Sequence, residues 1–427
     1  MKNKSFAPET LAIHQGYERD TQKTMNVPIY QSTAYAFDSS QQAGARFALQ
    51  ELGNIYSRLT NPTNEVLEKR LAALEGGASG VVTASGSAAI FYAIINLAST
   101  GDNIIVADKI YGGSANLFTH TLKTFGIEAR VFCIDDVNTL EPLIDNKTKA
   151  IFFESLSNPQ IAIAPIEEIT KIAKKYNIIT ICDNTVATPI LCNPISWGVD
   201  VVVHSLSKYA SGQGSTISGA IIDRDGLKDI IKDNPRYPQF NTPDPSYHGL
   251  IYADVPLPIF NLRVRTALLR DIGATLSPFN AWLVIQGLET LKIRIHEHSN
   301  NALKIANFLK SHPKVHSVNY PALEENPYFA RSQKYLKDGL CSGLISFEIN
   351  GDFESTKKIC NNTEIFSIVV NIGDTKSLIV HPASTTHSQL SPEDLIKVGI
   401  LPNTIRLSVG LENASDLISD LKSALES

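Results

Sequence analysis

The chain has 427 residues, 43% hydrophobic and 19% charged, with a formal net charge of -5 and a pI near 6.1, enough to bury a large core in about two or three domains. No long run of Lys or Arg occurs, which argues against nucleic acid or an anionic membrane as the main partner and favours a small-molecule substrate. The basic start Met1-Lys2-Asn3-Lys4-Ser5 leads into no apolar stretch of signal-peptide length, and no later stretch is long enough to span a bilayer, so a cytoplasmic location is expected.

Residues 1–60 lack a sustained period and carry an extended Pro/Tyr/Ser-rich stretch, Val27-Pro28-Ile29-Tyr30-Gln31-Ser32, which predicts an arm lying on another surface. From Thr63 the spacing predicts a helix to about Glu75, with Leu67, Leu71 and Leu74 on one face, then a strand over 80–84 and a helix over 87–97. Strands follow at 103–106, 129–132, 150–153, 178–182, 201–203 and 217–222, with helices near 114–125, 137–144 and 166–175. Such alternation predicts a mainly parallel sheet covered by helices, with ligands at the carboxyl ends of its strands. Residues 233–262 interrupt the pattern with a density of Pro that forbids helix interior and central strand alike. A helical segment over 277–310 precedes a tail that mixes strands (343–349, 405–409) with helices (353–360, 414–425). The division expected is an arm over 1–60, a large α/β domain over 61–290 with its insertion at 233–262, and a smaller α+β domain over 291–427. Cys133, Cys182, Cys192, Cys341 and Cys360 form no C-x-x-C pair and read as reduced thiols, with no zinc site and no disulfide framework.

The chemistry concentrates at strand ends. The apolar run 178–182 ends on Asp183, and 200–204 leads into Ser205-Leu206-Ser207-Lys208. Pyridoxal phosphate needs such a pair, a Lys to hold its aldehyde as a Schiff base and an acid to keep its ring nitrogen protonated. In isolation Asp183 reads as a turn or capping acid and Lys208 as a solvated loop residue; their joint placement on consecutive strands of one sheet is what singles them out. Ser85-Gly86-Ser87 joins a strand to a helix, so the amides of Gly86 and Ser87 can meet a phosphate, with the Ser205 and Ser207 hydroxyls beside them. Tyr56 and Arg58 offer a phenol and a guanidinium fork, and Tyr111 an aromatic face between a strand and a helix. Arg406 is a charge inside an apolar run, costly to bury without an anion; a substrate carboxylate or an internal acid would serve. His381, Thr385, Thr386 and His387 read as a polar loop near the site, without a catalytic role.

Together these motifs resemble the cysteine and methionine metabolism enzymes that use pyridoxal phosphate on the type I aminotransferase-like fold. The resemblance runs from Tyr56-Ser57-Arg58 and Asn61-Pro62-Thr63 through Ser85-Gly86, Tyr111-Gly112-Gly113, Asn158-Pro159, Asp183-Asn184-Thr185 and His204-Ser205 to Ser207-Lys208 and Arg406-Leu407-Ser408-Val409-Gly410. It implies that Lys208 is the Schiff-base lysine, Asp183 the ring-nitrogen partner and Tyr111 the stacking tyrosine. Gly86, Ser87, Ser205 and Ser207 would hold the phosphate, with Tyr56 and Arg58 reaching in from a neighbouring subunit, and Asn158, Asn371 and Arg406 would meet the substrate. The Pro-rich segment around Phe240-Asn241-Thr242-Pro243 and the stretch Asn371-Ile372-Gly373-Asp374 look like the O-acetylhomoserine sulfhydrylase branch. The methionine γ-lyases, the alternative, usually carry Cys at the position of Gly113 and Ser at that of Asn371. A homotetramer built from dimers with shared sites is implied, with O-acetyl-L-homoserine and sulfide or a thiol as substrates and a sulfur-carrier protein as a possible donor. A catalytically silent binding homologue is the reading from another class.

Overall fold

In a computed structural model, residues 6–385 and 401–427 are described. Seven strands, β1 (Ser79–Thr83), β2 (Asn103–Ala107), β3 (Glu128–Phe132), β4 (Thr148–Glu154), β5 (Ile179–Asp183), β6 (Val201–Ser205) and β7 (Gly219–Asp223), form one sheet in the order β1-β7-β6-β5-β4-β2-β3. The run from β3 to β6 is parallel, and only β7 lies antiparallel to its neighbours. Strands β2, β4 and β5 are buried along their whole length, as a sheet covered on both faces requires. The chain passes from β2 outward to β3 and returns to place β4 on the other side of β2. The loops after β2 and β4 therefore diverge, leaving the crevice at the carboxyl ends where such sheets bind ligands.

The helix Pro62–Glu75 shows how local sequence sets these elements. Asn61 caps it by accepting the Thr63 N–H at 2.9 Å, Pro62 fills the first turn, and Gly76 stops it at φ 74°. Leu67, Leu71 and Leu74 are buried on its inner face. The arm is tied to this helix, since Asn61 Nδ2 donates to the Tyr30 carbonyl at 2.8 Å and the Thr63 hydroxyl donates to that of Pro28 at 2.8 Å.

Three elements differ from expectation. The segment 137–144 is two short 3-10 turns, Val137–Thr139 and Glu141–Leu143; Asp136 takes the Asn138 N–H, and Pro142 has no N–H to continue a helix. The helix near 114–125 carries a π turn, Leu117–Thr121. The strand expected from 217 starts at Gly219, where an added Cβ would stand 2.2 Å from the Ser85 carbonyl oxygen, so only glycine lets the strand pass; Ile217 is 67% exposed. The Pro-rich segment forms short helical turns at Pro238–Asn241, Pro245–Tyr247 and Tyr252–Asp254, anchored by buried Tyr237, Phe240 and Tyr252.

The 21-residue helix Leu291–Ser311 leads to a second sheet. Its strands are β8 (Val315–Asn319), β9 (Leu344–Ile349), β10 (Ser367–Ile368), β11 (Leu378–Val380) and β12 (Thr404–Ser408), in the order β10-β11-β12-β9-β8. Arg406 lies in the buried strand β12, opposite Val380 and Ser346. Among the described residues no helix is long and apolar enough to cross a membrane.

Candidate active site

Asp183 is the last residue of β5 and Ser205 the last of the paired strand β6. Thr185 joins the two strand ends. Its N–H donates to Asp183 Oδ1 at 2.9 Å, and its hydroxyl oxygen accepts the Ser205 N–H at 2.8 Å. The turn-acid role open to Asp183 in the sequence is thus real, but it occupies one carboxylate oxygen of a residue that is itself buried. Burial pushes the Asp183 carboxyl up from its ordinary value, and the Thr185 contact pulls it back.

Lys208 follows β6 and is largely buried. Its Nζ donates to Asn371 Oδ1 at 2.7 Å, and no acid among the described residues pairs with it. Burial, with the Arg406 charge adding to it, holds the Lys208 amine below the ordinary lysine value. Arg406 reaches the same place from the second sheet: Nη1 donates to Asn158 Oδ1 at 3.0 Å and Nη2 to the Asn371 carbonyl at 3.1 Å. Both acceptors are neutral, and the buried Nε has no partner. An uncompensated guanidinium at this depth costs several kcal/mol. Among the described residues no internal acid pairs with it, so the geometry favours an incoming carboxylate.

Tyr111, after β2, is 48% exposed, so its face is open to a stacking ring. A Cβ on Gly113 would lie 2.4 Å from Tyr111 Cε1 and 3.0 Å from Cζ; any side chain at residue 113 displaces the ring from this position. Glu154 is the last residue of β4, one position beyond the strand end that the sequence predicts. Its Oε1 accepts the Tyr111 N–H at 2.6 Å and its Oε2 the Asn158 N–H at 3.2 Å. The rule that singled out Asp183, a carboxylate closing a buried strand, would have found it.

At the other end, Ser85 caps the ten-residue helix Gly86–Ile95 by accepting the Ala88 N–H at 3.1 Å, leaving the first amides of the helix free to meet an anion. A Cβ on Gly86 would stand 2.6 Å from Ser205 Cβ, so the helix start sits against the end of β6 only because residue 86 is glycine. Ser87 is exposed at this start. The Ser207 hydroxyl accepts the Ser218 N–H at 2.9 Å, which fastens the turn carrying Lys208 to the approach of β7. Arg58 lies over the Tyr56 ring, 4.9 Å from its centroid, with its buried Nε unpartnered. No hydrogen bond among the described residues joins either side chain to Lys208, Asp183 or Ser205. His381 is held by Ser384 Oγ at 2.9 Å and the Pro402 carbonyl at 2.7 Å, a structural role; Thr386 and His387 lie outside the described residues. A separate cleft of about 830 Å³, lined by Lys171, Trp197 and Arg224 among others, contains none of these residues.

The arrangement fits pyridoxal phosphate: a glycine-dependent phosphate cradle, a buried acid with an oxygen to spare, and a lysine of depressed basicity facing a neutral amide.

Comparison with known proteins agrees with this fit. The family model for Cys/Met metabolism PLP-dependent enzymes matches residues 9–426. An O-acetyl-L-homoserine sulfhydrylase of Leptospira meyeri is 43% identical over 99% of this chain and 97% of its own, and one of Corynebacterium glutamicum 45% over 97% and 95%. A crystal structure of a protein described as an O-acetylhomoserine (thiol)-lyase, from Campylobacter jejuni, superposes with a TM-score of 0.97 at 61% identity. The match covers 99% of this chain and 100% of that one, which carries an N'-pyridoxyl-lysine-5'-monophosphate.

Proposed function

The chain belongs to the Cys/Met metabolism PLP-dependent enzyme family, and from that premise we propose that it is an O-acetyl-L-homoserine sulfhydrylase, acting in the cytoplasm. Acetate leaves Cγ as its C–O bond breaks, and sulfide or methanethiol forms a C–S bond at the same carbon, giving homocysteine or methionine. One observation carries the reading: the Lys208 amine and the Arg406 guanidinium meet at the two ends of Asn371, its side-chain and backbone oxygens, bracketing the amine and carboxylate of one α-amino acid. The names of the similar proteins support the choice of substrate.

When bound, pyridoxal phosphate supplies an aldehyde that takes up an amine and a protonated ring that withdraws electrons from the adjoining carbon. The Gly86 and Ser87 amides and the Ser205 and Ser207 hydroxyls would hold its phosphate, Asp183 would partner its ring nitrogen, and Tyr111 would offer it a stacking face. Arg406 and Asn158 grip the substrate carboxylate. Lys208 Nζ takes the Cα proton; Asn371 steers that amine, and the low basicity set by burial leaves it unprotonated at a lower pH than a solvated lysine. Gly113 and Asn371 speak against γ-elimination as the main reaction.

Product analysis with O-acetyl-L-homoserine, with and without sulfide, tests the reading. Homocysteine formed only with sulfide is expected, whereas 2-oxobutanoate formed without it would assign a lyase. Gly113→Ala, which drives Tyr111 off its resting place, is expected to lower kcat/KM by roughly 10- to 100-fold while bound cofactor stays stoichiometric, since a small misplacement at a reacting centre has this scale of effect. Unchanged kinetics would mean that the ring position is not set by residue 113.

The arm exposes Met25, Ile29, Tyr30, Phe47 and Leu52, apolar surface that a second copy of the chain would cover. In this reading Tyr56 and Arg58 complete a neighbour's phosphate site, and the assembly is a homotetramer of such dimers. The sulfur arrives as a small thiol or on a carrier protein. Mixing Arg58→Ala with Lys208→Ala subunits should then restore activity through one complete site per hybrid dimer. With subunit exchange verified, activity no higher than either parent would reject shared sites.

A further inference from the structure

We propose that Glu154 is the positioning residue that sets the stacking tyrosine and the carboxylate clamp together. The inference rests on the reading of Tyr111, Asn158 and Arg406 given above, but not on the identity of the leaving group or the sulfur donor. Glu154 closes β4, which lies beside β5 and next to the switch point, and its register partner is Asp183. Its two oxygens face different loops: Oε1 takes the backbone N–H of Tyr111 and Oε2 that of Asn158. One rigid carboxylate thus fixes where two loops leave the sheet. Asn158 then holds Arg406 through its own side chain, so the chain of contacts runs from the ring-stacking residue through Glu154 and Asn158, both buried, to the carboxylate-binding one.

Burying an acid beside another acid is unfavourable, and burial followed by the Asp183 charge pushes the Glu154 carboxyl up, while the Tyr111 and Asn158 N–H groups that it accepts pull it back toward the ionised form. A merely structural tie between the loops could be made by a neutral side chain without this penalty. What a carboxylate adds is a pair of acceptors in one plane and no donor, so both N–H groups are satisfied at once; an amide of the same size offers one oxygen and must turn an NH2 toward one of the two donors. The groups facing Glu154 are Asp183 on β5 and the backbone of the two loops, with Arg406 one residue further through Asn158.

The test reads ligand binding without turnover. L-Alanine has the amine and carboxylate of the substrate and nothing to eliminate, and its binding to the holoenzyme is followed by the change in the cofactor's visible absorbance. Glu154→Gln is expected to weaken L-alanine roughly tenfold and to change the visible circular dichroism of the resting holoenzyme, with cofactor content retained. Glu154→Asp keeps the charge but shortens the reach, so it too should weaken L-alanine, and it serves if the Gln variant does not fold. Arg406→Ala is the reference, expected to abolish L-alanine binding. If Arg406→Ala does so while the folded Glu154 variants bind L-alanine within twofold of wild type with an unchanged dichroic band, the positioning role is overturned and the site reading stands. If Arg406→Ala leaves L-alanine affinity intact, the carboxylate clamp itself is wrong and the inference falls with it.

Discussion

Lys208→Ala is expected to lower homocysteine formation from O-acetyl-L-homoserine and sulfide by roughly 10,000-fold or more, the scale on which loss of a reacting nucleophile is felt. The residue combines two tasks that no neighbour can take over. In the proposed reading its amine would hold the cofactor and then move the substrate's Cα proton, and its hydrogen bond goes to the neutral Asn371 amide. A kcat loss below tenfold would remove Lys208 from the chemistry. The direction of its pKa adds a second readout. Because the folded protein disfavours the charged ammonium, the apoprotein should take up pyridoxal phosphate at a rate that rises with pH through a midpoint below that of an ordinary lysine. A midpoint at or above the ordinary lysine value would contradict the burial argument.

Asp183→Asn should cost roughly 100- to 1,000-fold in kcat, the range measured when one preorganised electrostatic partner is removed from a reacting group, with a smaller change in KM. An amide keeps an oxygen for the Thr185 N–H, so the turn that orders Asp183 and Ser205 survives and the substitution isolates the charge. Pyridoxal phosphate should remain bound, because its phosphate is held elsewhere, and its visible spectrum should shift as the ring nitrogen loses its acid. A wild-type spectrum together with wild-type kcat would place the ring nitrogen against some other group.

The large parallel sheet was legible because each strand is a short apolar run stopped by a polar residue or a turn. The placement of Asp183 and Lys208 at strand ends is legible for that reason, and the helix expected over 166–175 has those bounds, Ile166–Lys175. What escaped depends on contacts across the sequence. Glu154 acts through two backbone N–H groups, one of them 43 residues away, and no spacing rule reports that. The partner of Arg406 was undecidable from a strand with one charge in it; the structure answers by giving the guanidinium only neutral acceptors. Thr185 carries no signal of its own in the sequence, and its bond to the Ser205 N–H exists only once β5 and β6 lie side by side. The failure at 137–144 is local: an apolar spacing suited to a helix was present, but Pro142 and the Asp136 side chain broke the ladder before it could propagate.

Asn371 touches the two ends of the site with different parts of itself, the amide oxygen on Lys208 and the backbone carbonyl on Arg406. Every amino acid has that carbonyl, and only asparagine and glutamine have that amide. Exchanging residue 371 therefore alters what the lysine amine meets while the hold on the guanidinium persists. The position is one where a descendant of this chain can change the fate of a bound amino acid without first losing the ability to bind it.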